Sequence, residues 1–142
     1  MADVIFDSNV FDDLVNGIMD ISILESKEIN VFITHIQVDE LNECPDKEKK
    51  VRLFGFLTEI RPEKIPTESF VIGTSRIGSA KISDGNLIEK LRGDNYKKTN
   101  DALIGETAIK NRLTLITNDI RFRNKVNELG GKAITVEELL NN

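Results

Sequence analysis

Four carboxylates are placed where they could do chemistry together: Asp7, Glu40, Asp101 and Asp119. Asp7 closes the β-rich run Asp3-Val-Ile-Phe-Asp7, and Asp119 follows the run Leu113-Thr-Leu-Ile-Thr117 by one asparagine. Glu40 lies about one and a half turns into the helical pattern that follows Val31-Phe-Ile-Thr34. Asp101 opens the helical pattern that leads into the Leu113 run. Two carboxylates ~4 Å apart repel by roughly 4 kcal/mol at an effective dielectric near 20, so a cluster of four is costly as a purely structural device. A divalent cation reverses that cost. The chain has one histidine, His35, and one cysteine, Cys44. Oxygen donors without a His/Cys set suit Mg²⁺ or Mn²⁺ rather than zinc.

Each acid also has a plain structural reading. Ser8-Asn9 reads as a helix cap, and Asp7 can be a turn residue or can share the capping of the first helix with Asn9. Asp119 can be an N-cap. Asp101 in a first helical turn is favoured by the macrodipole by ~0.3–1 kcal/mol. Glu40 competes with Asp39; on a helix the two point about 100° apart, so only one faces a common site.

These acids need strands and helices to hold them. Val10, Phe11, Leu14, Val15 and Ile18 give a first helical stripe, and Ile21 to Glu28 a second, short helix with Ile21, Ile23 and Leu24 inward. Val31–Thr34 reads as a buried strand, Ile36 onward as a helix interrupted at Pro45, and Lys47–Ile60 as a helix ending before Pro62. In the stretch from Arg61 to Tyr96, Ser69–Gly73 and Ala80–Ser83 have strand composition and suggest a hairpin-like excursion around residues 69–83. Asn100–Arg112 then reads as a helix, Leu113–Thr117 as a strand and Arg121–Leu129 as a helix closed by Gly130-Gly131. Lys132–Thr135 is a last strand and Val136–Leu140 a last helix. Continuous apolar strands alternating with helices predict an α/β three-layer sandwich around a mostly parallel sheet, in one domain over residues 1–142. Ligands of such sheets sit beyond the carboxyl ends of the strands. A helix feeding a parallel strand starts near that same edge, so all four acids are expected there.

Composition sets the frame. The chain has 142 residues, 39% hydrophobic and 30% charged. That suits one globular domain and excludes a disordered or collagen-like chain. A single cysteine excludes a disulfide framework. With 19 Lys+Arg against 24 Asp+Glu, the net charge of −5 argues against a simple basic nucleic-acid binder, but not against an enzyme whose acids surround a metal. No apolar run reaches the ~20 residues of a membrane span and no basic, apolar signal segment opens the chain, so a soluble cytoplasmic protein is expected.

The residues around the acids carry a resemblance. Val4-Ile-Phe-Asp7-Ser-Asn9-Val-Phe resembles the opening motif of the PIN-domain ribonucleases. Ile33-Thr-His-Ile-Gln-Val-Asp-Glu40-Leu is similar to the segment of that family's second acid, and Asn100-Asp101-Ala-Leu-Ile-Gly-Glu-Thr-Ala to that of its third. Leu115-Ile-Thr117-Asn118-Asp119-Ile-Arg-Phe is similar to that of its fourth. The match keeps order and approximate spacing from residue 3 to about residue 136. The resemblance implies a PIN-like fold and a metal-dependent endoribonuclease with Asp7, Glu40, Asp101 and Asp119 as metal-holding catalytic acids. Mg²⁺ or Mn²⁺ would activate a water and polarise the scissile phosphate, with one or two ions compatible with four carboxylates. Asn9, Thr117 and Asn118 would support the acids or contact substrate, and Asn9 reads equally as a cap alone. The small format resembles the VapC-like toxins of toxin–antitoxin pairs, which implies an RNA substrate, an antitoxin partner and a homodimer. The alternative within the family is a catalytically inactive module that binds RNA or protein.

Other features fit less well. Gly73-Thr-Ser-Arg-Ile-Gly78 has the glycine spacing of a P-loop, but Ser79 stands where lysine is needed and the flanks read as strand. Arg76 within it is a possible substrate contact. Arg121, Arg123 and Lys125 follow Asp119, and Lys97-Lys98 precede Asp101, which suits phosphate positioning; a solvated helix face is the plainer reading of each. A phospho-receiver domain would need a phosphorylatable acid ending a central strand and a lysine after a later one. Here the Val31 strand ends in Thr34-His35, and the later strand ends in Thr117-Asn118-Asp119 with no lysine. Cys44 and His35 read as chemically idle.

Overall fold

The computed structural model describes residues 2–67, 90, 91 and 99–141. The expected excursion at residues 69–83, the Gly73–Gly78 segment and Lys97-Lys98 lie outside those residues.

Among the described residues five strands form one sheet: β1 (Ala2–Phe6), β2 (Ile29–Ile33), β3 (Glu63–Lys64), β4 (Thr114–Ile116) and β5 (Lys132–Ile134). Their order is β3-β2-β1-β4-β5, and every pairing is parallel. The helices are α1 (Val10–Val15), α2 (Ile21–Ser26), α3 (His35–Asn42), α4 (Lys47–Ile60), α5 (Thr99–Lys110), α6 (Ile120–Glu128) and α7 (Val136–Asn141).

The strands are apolar on both faces because both are covered. On β1, Val4 and Phe6 point to one side, where they pack with Val10, Phe11, Leu14, Leu24, Leu53 and Leu139. Ile5 points to the other, with Ile36, Leu103, Leu115 and Val126. Alternation along one strand therefore feeds two helical layers, giving the three-layer α/β sandwich. Phe6 and Phe11 meet edge to face at 5.7 Å, which seats α1 against the strand that carries Asp7.

Some boundaries differ from the sequence reading. The first helix ends at Val15, and Ile18 is 61% exposed rather than part of the stripe. Gly17, at φ 77°, breaks the helix there. The short β3 falls in a stretch that gave no readable strand, because two residues carry no periodicity. It is set by pairing, Phe32 against Glu63 and Ile33 against Lys64. At the other end, Gly130 takes φ 91° after α6, as the Gly-Gly pair suggests.

The connections give the sheet its switch point. From β1 the chain moves to β2 and then β3 on one side, while β4 and β5 lie on the other. The crevice between the carboxyl ends of β1 and β4 is where such sheets hold ligands. Asp7 follows β1 at this edge, and Thr117-Asn118-Asp119 follows β4.

Candidate metal centre

Asp7 is buried, with 4% of its surface exposed. Its backbone N–H continues the β1–β4 ladder to the Ile116 carbonyl at 2.9 Å, so the sheet fixes its position. Its carboxylate accepts from the Thr117 hydroxyl at 2.9 Å and from the backbone N–H groups of Ser8 and Asn9. Burial pushes the Asp7 carboxyl above the usual range, the Asp119 charge adds to this, and the three hydrogen bonds act against it. The side-chain cap expected from Ser8-Asn9 is not formed. Asn9 stands at the N-cap position of α1 in helical conformation and makes no side-chain cap bond.

On α3, Glu40 stands within electrostatic range of Asp101 and Asp7. Burial and the Asp101 charge push its carboxyl up to about 7, and the Asp7 and Glu43 charges push the same way. The Ser8 hydroxyl lies near enough to favour the ionised form. Even so, Ser8 Oγ and Glu40 Oε1 are both buried without a hydrogen bond of good geometry. A buried carboxylate oxygen left in this state is costly unless a ligand satisfies it.

Asp101 stands in the first turn of α5. Its charge acts on Glu40 across the contact between α3 and α5. Asp119 is exposed and caps α6, its Oδ1 accepting the Phe122 N–H at 3.1 Å. It joins the other acids electrostatically through Asp7. The structure therefore brings Asp101 and Asp7 each within electrostatic range of Glu40, with Asp119 in range of Asp7. Among the described residues no three His, Cys, Asp or Glu side chains stand close enough to share one ion as placed.

The chemistry of the donors, though not their spacing as placed, suits a hard divalent cation. The set consists of carboxylate oxygens, one of them buried and unsatisfied, on three different elements at the sheet's switch point.

The supporting residues divide by what they touch. Thr117, fully buried, donates to Asp7 Oδ2 and accepts the Asp119 N–H at 3.1 Å, so one hydroxyl orients both acids. Asn118 uses both ends of its amide inside the fold, donating to Asp13 Oδ2 at 2.9 Å and accepting the Val136 N–H at 3.3 Å. Arg123 pairs with Glu138 at 3.3 Å, while Arg121 is exposed. His35 is buried to 1% in the core and Cys44 is a free thiol.

Two residues escaped the sequence reading. Ser8, read from sequence as half of a Ser8-Asn9 cap, instead places its hydroxyl near Glu40. Gln37 belongs to a capping box with Thr34, and the pattern Thr34-x-x-Gln37 could have revealed it.

The fold and site define a parallel α/β protein with an acidic centre at the switch point. No family model matches the chain, and neither does any curated protein. Among solved structures, the chain is similar to one in the crystal structure of VapBC2 from Rickettsia felis bound to a DNA fragment from their promoter. The likeness covers 94% of this chain and 98% of that one, at 20% identity and a TM-score of 0.54. At that identity it shows the fold alone, and the fold is PIN-like. No helix among the described residues is long and apolar enough to cross a membrane.

Proposed function

We propose that this protein is a Mg²⁺- or Mn²⁺-dependent endoribonuclease built as one PIN-like domain over residues 1–142. The observation that carries the reading is Glu40. Its buried, unsatisfied carboxylate oxygen lies in range of the charges of Asp7 and Asp101 at the carboxyl edge of a parallel sheet.

Asp7, Glu40 and Asp101 would hold the cation, with Asp119 completing the set. The bound cation supplies a polarised scissile phosphate and an activated water. The chain's own residues do the rest. Thr117 holds Asp7 and the Asp119 backbone in one orientation. The Glu40 carboxyl, raised by burial and by the Asp101 and Asp7 charges in the absence of a cation, would be held ionised once one is bound. Arg121, exposed one residue after the α6 start, is available to substrate phosphates, more so than Arg123 with its Glu138 partner. Asn9, exposed and without a cap bond, is a further contact for substrate.

The VapBC2 likeness supports a toxin role with an antitoxin partner; a homodimer and a cytoplasmic setting are carried by the family resemblance alone. The test is cleavage of single-stranded RNA in Mn²⁺ by the wild type, Asp7→Asn and Asp101→Asn. Loss of one ligand removes several kcal/mol of charge stabilisation, so each variant is expected to fall by about 100-fold or more. Equal cleavage by all three proteins contradicts the reading.

A further inference from the structure

The repulsion at the metal centre raises a mechanical question: what holds α3 against β1 when Glu40 and Asp7 push apart? Gln37 spans that gap. It is fully buried and lies one turn before Glu40, on the same side of α3. Its Nε2 donates to the carbonyl of Phe6 at 3.1 Å, the residue immediately before Asp7. Its Oε1 accepts the Thr34 N–H at 2.8 Å and a contact from the Thr34 hydroxyl. The orientation of the amide follows from its partners, since a backbone N–H can only donate and a carbonyl can only accept. A capping box by itself needs only the Oε1 end. The second bond ties the first turn of α3 to the last residue of β1.

We infer that Gln37 is a positioning residue that sets the spacing between the Asp7 and Glu40 carboxylates for a divalent cation. The inference rests on the cation reading above. It assigns Gln37 no contact with substrate or metal. Its effect passes through the backbone: Phe6 carries Asp7, and one helical turn carries Glu40. With the strap cut, the charge on Asp7 and Asp101 favours movement of Glu40 outward, and the ligands no longer converge. Loss of groups that orient metal ligands typically weakens the metal by about 10–100-fold.

The test measures Mn²⁺ binding to the purified chain by calorimetry, together with thermal unfolding in EDTA. Gln37→Met keeps the length and removes both hydrogen-bonding ends. Gln37→Asn shortens the span by one methylene and serves if the first variant does not fold. Thr34→Ala is the control, because it weakens the cap while leaving the Gln37–Phe6 bond. The expected result is wild-type Mn²⁺ affinity in Thr34→Ala despite its lower melting temperature. A folded Gln37 variant should bind about 10-fold or more weakly. Unchanged affinity in folded Gln37→Met or Gln37→Asn overturns the inference while leaving the cation site standing. Equal weakening in Thr34→Ala also overturns it, since cap loss alone would then explain the effect. Absence of Mn²⁺ binding by the wild type overturns the cation reading and this inference together.

Discussion

The Thr117 hydroxyl donates to Asp7 Oδ2 at 2.9 Å across 110 residues of sequence. It joins the carboxyl ends of β1 and β4, the two strands that border the switch point. The same oxygen accepts the Asp119 N–H. Thr117→Val keeps the shape and removes both bonds. A buried hydrogen bond to a charged group contributes about 1.5–3 kcal/mol, so urea unfolding at neutral pH should show a loss of about that size. A change within experimental error would mean the bond does no stabilising work.

Glu40 predicts an unusual pH dependence. Its folded carboxyl lies at about 7 against an ordinary 4.5. For an acid shifted upward, the folded state binds the proton more tightly. Its stabilising contribution is full below pH 4.5 and is lost as pH rises to about 7. The difference corresponds to about 3 kcal/mol at most. Other carboxylates titrate in the same window, so the measurement is the melting temperature of the wild type minus that of Glu40→Gln, in EDTA. That difference should become more negative from pH 4.5 to 7 and then level off. A flat difference contradicts the burial and charge assigned to Glu40.

The Asp101 charge is the second cause of that shift, after burial. Asp101→Asn should therefore lower the Glu40 pKa from about 7 without returning it to the ordinary value. A ¹³C NMR titration of the Glu40 side-chain carboxyl resolves this. An unmoved titration would place Asp101 out of electrostatic range.

Away from the site, Gly131 makes a close approach between α6 and β5. A Cβ there would stand 2.7 Å from Ile109 Cγ1, 2.8 Å from Val126 Cγ1 and 3.2 Å from the Val126 carbonyl. Because one of those neighbours is backbone, Gly131→Ala should destabilise by about 1–3 kcal/mol, read from denaturant unfolding. Mn²⁺ affinity should be unaffected, which makes the variant a control for effects transmitted through stability alone.

Much of the architecture was legible because its signals are local. Asp3–Asp7 and Leu113–Thr117 are continuous apolar runs ended by polar residues, and Lys47–Ile60 keeps its helical period between Asp46 and Pro62. The strand before Thr34 began two residues earlier than the apolar pattern suggested, because Ile29 and Asn30 join the sheet through pairing with Ala2 and Asp3. Pairing of that kind is not written in a single segment. β3 was unreadable for the same reason.

The acids were legible as positions but not as partners. Topology alone brought Asp7, Asp101 and Asp119 to one edge. The choice between Asp39 and Glu40 depends on how α3 is rotated, which the neighbouring apolar residues leave open. Asp119 was legible in both readings, as cap and as acid, and the structure shows the cap.

The most direct measurement is anomalous diffraction from a crystal of the protein soaked in Mn²⁺. The account predicts a peak bounded by the carboxylates of Asp7, Glu40 and Asp101, with Glu40 Oε1 among its contacts. A peak elsewhere, or none while the carboxylates stay apart, would contradict it.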